Sequence, residues 1–132
     1  MFVDASAIVA MITQEPEAPQ FLDLVEAAAH PMTSAVAIFE AALGICRKRQ
    51  STVDEAYNDV RELLEEANIR VVDIGDAEAV EALSAFARSG KGRGHPARLN
   101  LGDCFAYAAA KTNGVSLLFK GDDFAKTDIA VA

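Results

Sequence analysis

The chain has 132 residues, a hydrophobic fraction of 52% and a formal net charge of −8. Those values exclude an intrinsically disordered chain and fit one domain over residues 1–132. No apolar run approaches the roughly 18 residues that a membrane-spanning helix needs. The N-terminal MFVDASAIVAMITQEP lacks a basic leader, so a cytoplasmic protein without membrane association is expected. The acidic balance alone argues against a nucleic-acid binder, whose usual footprint is basic. Acids gathered at a cation site, or a basic partner, would lift that objection. Cys46 and Cys104 belong to no Cys/His cluster and read as reduced core thiols.

In chain order, FVD at residues 2–4 reads as a short strand ending on Asp4, with Ser6 placed to cap the helix that follows. Pro16 and Glu17 suit the start of a helix over 18–29. Residues 32–34 are a short strand or bridge. Ser34 is an N-cap for a helix over 35–49, with Val36, Phe39, Leu43 and Cys46 on its apolar face, widened by Ile38, Ala42 and Ile45, and Arg47, Lys48 and Arg49 at its C-terminus.

A capping-box start at 51–55 leads into a helix over 54–67, then a strand, IRVVDI, over 69–74. The next helix, 76–89, shows Val80, Leu83, Phe86 and Ala87 as its inner face. Residues 89–100, SGKGRGHPARLN, form a glycine-rich basic loop. A helix over 101–112, a strand over 115–119, a turn holding Asp122 and Asp123, and a last short element at 127–129 complete the chain. Strands alternating with helices imply an α/β fold with a parallel sheet covered on both faces.

Ligands of open α/β sheets bind beyond the carboxyl ends of the strands. Asp4 and the Asp122–Asp123 pair stand at such ends. Asp103 lies in the first turn of its helix, and Glu40 interrupts an otherwise apolar one. Each has a plain alternative: Asp4 as a helix cap, Asp103 as a favourable partner of the helix dipole, Asp122 and Asp123 as turn formers. Together they are a donor set for a hard divalent cation. His30 and His95, each beside a proline, read as surface residues.

The segments VDASAIVA, AIFEAALG, LNLGDCFAYAAAK and LLFKGDDFAKTDI resemble the successive signatures of the PIN-domain ribonucleases, in particular the VapC toxins of type II toxin–antitoxin pairs. The resemblance implies a PIN-like three-layer α/β/α sandwich around a short central parallel sheet. It implies a Mg²⁺- or Mn²⁺-dependent endoribonuclease acting on tRNA or rRNA. Asp4, Glu40, Asp103 and Asp123 match the family acids as catalytic and metal-binding residues, with Asp122 as an extra neighbour and Ser6 as the supporting hydroxyl. Many PIN domains carry D-x-D-F at the fourth position; here Gly121 stands in place of the first Asp.

It further implies a VapB-type antitoxin partner, and a homodimer that becomes a heterotetramer or larger with that antitoxin. Lys91, Arg93, Arg98 and Lys120 are the expected RNA contacts, the first three as a basic lip leading into Asp103. The competing functions are a metal-dependent phosphodiesterase or phosphatase acting on a small substrate, and a non-catalytic PIN-fold binding module.

Overall fold

The computed structural model describes residues 1–132. Four short strands, β1 (Phe2–Val3), β2 (Met32–Ser34), β3 (Arg70–Val72) and β4 (Leu117–Leu118), form one parallel sheet in the order β3-β2-β1-β4. Successive strand residues face opposite sides of a sheet. Phe2, Val3, Leu117 and Leu118 are all buried, so both faces at the sheet centre are covered, as parallel sheets require.

Six helices supply that cover: α1 (Ala5–Ile12), α2 (Ala18–Ala27), α3 (Ala35–Arg49), α4 (Val53–Glu66), α5 (Asp76–Ser89) and α6 (Leu101–Thr112). Helix α1 packs on α2, α3 and α4, whereas α5 packs chiefly on α6. None of them is long and apolar enough to cross a membrane.

Helix starts follow local chemistry. The side chains of Ser34, Thr52 and Asn100 each accept a backbone N–H at the first turn of α3, α4 and α6. Helix α1 is the exception to the expected capping: its N-cap is Asp4, which accepts the Ser6 N–H, and Ser6 lies inside the helix. At its other end, Asn113 and Gly114 (φ 64°) close α6.

The structure departs from expectation at four places. On α5, Val80 and Leu83 are 69% and 71% exposed and Phe86 is also exposed, while Ala82, Ala85 and Ser89 face inward. The reason is close approach to α6, which is itself lined with Ala106, Ala108, Ala109 and Ala110. Small residues let two helices meet and leave no room for Leu or Val. On α3, Ala42 and Ile45 are buried as expected, together with Ala37 and Ala41, but Phe39 is 65% exposed. Cys46 is only half-buried, with its Sγ near the Thr52 carbonyl at 3.5 Å, whereas Cys104 is buried. Finally, the element after β4 is a 3-10 turn at Phe124–Lys126, followed by a bridge from Val131 to Leu117 at the sheet edge.

The strand order has one consequence for function. From β1 the chain builds outward through β2 to β3 on one side, and β4 returns to the other side of β1. The carboxyl ends of β1 and β4 therefore flank a topological switch point, where a crevice opens in folds of this class.

Candidate active site

Asp4 is the first residue beyond β1 and is 4% exposed. Its Oδ2 accepts both the Ser6 N–H at 3.0 Å and the Ser6 hydroxyl at 2.5 Å. Burial nevertheless raises the Asp4 pKa, because two local hydrogen bonds replace bulk water incompletely. Ser6 Oγ also accepts the Lys120 N–H at 2.9 Å, which ties the end of β4 to the start of α1.

Asp103 arrives from the other side. It forms a reciprocal cap with Asn100: its Oδ2 accepts the Asn100 N–H at 3.0 Å, and its own N–H donates to Asn100 Oδ1 at 2.9 Å. Burial pushes its pKa up to about 6, opposed by the Asn100 bond and aided by the charges of Asp4 and Asp123. Glu40, from the middle of α3, is pushed to about 7 by burial and then by the charges of Asp4 and Asp103. Three acids from three helices thus repel one another in one place.

Two glycines permit this convergence. A Cβ on Gly44 would meet Val9 Cγ2 at 3.0 Å, so α3 approaches α1 closely there. A Cβ on Gly102 would overlap both carboxylate oxygens of Glu40. Gly102 is the seat on which Glu40 rests, one residue from Asp103. Nothing in the sequence marks it, because a glycine at the second position of a helix carries no signal of a side chain arriving from elsewhere.

Asp4, Ser6, Glu40 and Asp103 line a cleft of about 510 Å³, together with exposed Arg47, Lys48 and Lys120. Asp122 and Asp123 are exposed in the turn beyond β4 and do not line it. The charge of Asp123 is nonetheless felt at Asp103. Of the expected RNA contacts, Lys120 stands at the cleft, and its ammonium pairs with Glu15 and Glu17. Glu15 pairs with Lys48 as well, bridging α3 and the β4 turn.

Lys91, Arg93 and Arg98 are exposed and do not line the cleft. Their loop is clamped at its base: Lys91 N–H donates to the Leu99 carbonyl and Leu99 N–H to the Ser89 carbonyl, both at 2.8 Å. Ala97 and Leu99 are fully buried beneath it. His95 is half-buried in this loop, with its Nδ1 accepting the Ala97 N–H at 3.0 Å, so it is not the plain surface residue expected.

Comparison with known proteins accords with this geometry. A family model, the PIN domain, matches residues 1–130. A VapC ribonuclease of Rhizobium meliloti (strain 1021) is 40% identical, covering 97% of this chain and 98% of its own. The chain belongs to the PIN-domain family, among the VapC proteins. Ribonuclease VapC30 of Mycobacterium tuberculosis (strain ATCC 25618 / H37Rv) is 41% identical, over 98% of this chain and 96% of its own. Among solved structures, M. tuberculosis VapC20, a sarcin-ricin loop cleaving toxin, superposes with a TM-score of 0.76 at 16% identity, over 99% of this chain and 97% of the other. A toxin–antitoxin complex from Klebsiella pneumoniae gives 0.73 at 17%, over 99% and 95%. At such identities these two likenesses speak to the fold, the α/β sandwich around a parallel sheet.

The acids of this PIN domain suit a divalent cation on their own chemistry. None of the six ion pairs involves Asp4, Glu40 or Asp103, so no lysine or arginine neutralises them. No three His, Cys, Asp or Glu side chains stand close enough to cage an ion unaided.

The pKa shifts carry a prediction for the cation-free protein. Asp103 and Glu40 hold protons in the folded state to about 6 and about 7, above their ordinary 3.8 and 4.5. An acid with a raised folded pKa contributes stability below its unfolded pKa and loses it as pH climbs through the folded value. Acids shifted the other way, Glu78 and Asp128, complete their changes below about pH 5. In EDTA the melting temperature is therefore expected to fall from about pH 5 to about pH 8, and saturating Mg²⁺ to close most of that gap. A melting temperature flat across this range would mean that burial and the neighbouring charges do not raise these two acids.

Proposed function

We propose that this PIN domain is a Mg²⁺- or Mn²⁺-dependent endoribonuclease toxin. The observation that carries the reading is the unneutralised convergence of buried Asp4 with half-buried Glu40 and Asp103 beyond the carboxyl ends of β1 and β4. The ribonuclease names of relatives at 36–41% identity support it. VapC20, a sarcin-ricin loop cleaving toxin, shares the fold.

Asp4 and Asp103 would hold the cation, with Asp123 and Glu40 completing its surroundings directly or through water and Asp122 next in line. A bound divalent ion supplies charge relief at the phosphodiester and acidifies water at neutral pH. Ser6 keeps the Asp4 carboxylate in one orientation through its two hydrogen bonds. Glu40, with its pKa near working pH in the free cleft, is the group suited to take the proton of the attacking water. Lys120, Lys48 and Arg47 meet the substrate phosphates at the cleft mouth.

With water as nucleophile, products lack a 2′,3′-cyclic phosphate. Incubation of the purified chain with tRNA and rRNA in Mg²⁺, followed by end analysis, is expected to show internal cuts and no cyclic ends. Cyclic ends, or turnover of small phosphodiesters with RNA untouched, would refute this reading.

A VapB-type antitoxin would quench the same cleft with a basic side chain, by charge complementarity. Exposed Phe39, Val53 and Tyr57 on α3 and α4 give its apolar residues a place to rest. The apolar α5 face at Val80 and Leu83 suits a second copy of the chain, giving a homodimer and a heterotetramer or larger with antitoxin. Light scattering on the free protein should give about twice 14.0 kDa, and Leu83→Glu should reduce it to one chain. A wild type at 14.0 kDa would disprove the dimer.

A further inference from the structure

A second cavity, of about 420 Å³, is lined by Arg88, His95, Tyr107, Lys126 and Asp128 among others. Its position follows from the chain. Tyr107 is one helical turn past Asp103 on α6, about 6 Å along the axis, and Lys126 is three residues past Asp123. The α6 helix and the turn after β4 thus each supply one residue to the acids and, one turn further on, one residue to this cavity.

Its floor is built rather than incidental. Tyr107 is 1% exposed. Its hydroxyl donates to Asp128 and accepts from Arg88 Nη2 at 3.1 Å. Asp128 is also paired with Lys111 at 3.0 Å, so its charge is answered within the floor. Arg88 is held further by Ser84 Oγ at 2.6 Å and pairs with Glu81 at 3.9 Å.

Two donors remain without an anionic partner. Lys126 has only the Pro96 carbonyl, at 3.5 Å, and no ion pair. His95 Nδ1 accepts the Ala97 N–H at 3.0 Å, which leaves the proton of the neutral ring on Nε2 as a donor. On a chain of net charge −8, a pocket presenting a fixed guanidinium, an unpaired ammonium and an imidazole N–H is set up for an anion. The loop that covers it also carries Lys91, Arg93 and Arg98.

We infer that this cavity is a phosphate subsite for the RNA strand leaving the acidic cleft, with Arg88, His95 and Lys126 as the contacting residues and Tyr107 and Asp128 as positioning residues. The inference rests on the ribonuclease reading. It gives the 91–98 loop a role beside the strand's continuation, away from the reacting bond.

The test compares single-stranded RNAs of about three and about twelve nucleotides, in Ca²⁺, binding to the wild type, Lys126→Gln and Arg88→Gln/Lys126→Gln over a range of salt. Each lost phosphate contact lowers the slope of log K against log salt by about 0.7 for single strands. The longer RNA is expected to lose a slope of about 0.7 in the single variant and about 1.4 in the double, with affinity down several-fold at low salt. The three-nucleotide RNA is expected to bind all three proteins alike. Lys126 is exposed and touches little, so the single variant reads out even if Arg88→Gln disturbs α5. Unchanged slope and affinity for the longer RNA, with the wild type cleaving it in Mg²⁺, would remove the subsite and leave the ribonuclease reading standing. A wild type that neither binds nor cleaves RNA would overturn both.

Discussion

Asp103→Asn is expected to lower RNA cleavage by about 10²-fold or more while raising the melting temperature of the cation-free protein above about pH 6. The two effects have one cause. Asp103 is charged at neutral pH against burial and against the charges of Asp4 and Asp123, which is why its pKa sits near 6. Asn has nearly the same shape, and its carbonyl oxygen can still accept the Asn100 N–H that Oδ2 accepts now. The cap survives and the repulsion goes. Loss of a negative charge in the first turn of α6 costs about 0.3–1 kcal/mol, which partly offsets the gain. Thermal melts in EDTA beside single-turnover cleavage separate the outcomes. A variant that loses both stability and activity would make Asp103 a structural residue.

Gly102→Ala is the second large effect. Ala is favoured over Gly in a helix by about 1 kcal/mol, so α6 itself gains. The added methyl, however, occupies the place where the Glu40 carboxylate rests. That carboxylate is the far end of a flexible side chain and moves away cheaply. Cleavage should fall by about 10-fold or more, with melting temperature unchanged or higher. Glu40→Gln added to Gly102→Ala should cost little further, because residues acting as one unit are non-additive. Independent, multiplying losses would show that Gly102 acts other than through Glu40.

The helix boundaries were legible in the amino-acid sequence because their signals are local, whereas of the expected acids only Asp4, Glu40 and Asp103 line the cleft, and Asp122 and Asp123 do not. Ser34, Thr52 and Asn100 announce the helices they cap, and Asp4 follows a strand of only two residues but stands next to an unmistakable apolar helix. What stayed hidden depends on partners far away in sequence. The outward turn of Val80 and Leu83 follows from the alanine surface of α6, about 25 residues on. The seating of Glu40 on Gly102 joins α3 to α6. The bridging of Lys48 and Lys120 by Glu15 brings together three separate segments. A basic loop adjoining Asp103 in sequence suggested a lip over the acids; the backbone bonds between Ser89, Lys91 and Leu99 instead fold it back over the Arg88–Tyr107 cavity.

The most direct test of the central claim is cleavage of a single-stranded RNA by the chain purified free of any partner, first in EDTA and then after Mn²⁺ is restored, with Asp4→Asn in parallel. The expected result is no cleavage in EDTA, cleavage by the wild type on restoring Mn²⁺, and none by Asp4→Asn at any Mn²⁺ concentration. Cleavage that persists in EDTA, or that Asp4→Asn retains, would contradict the assignment of the acidic cleft as the catalytic centre.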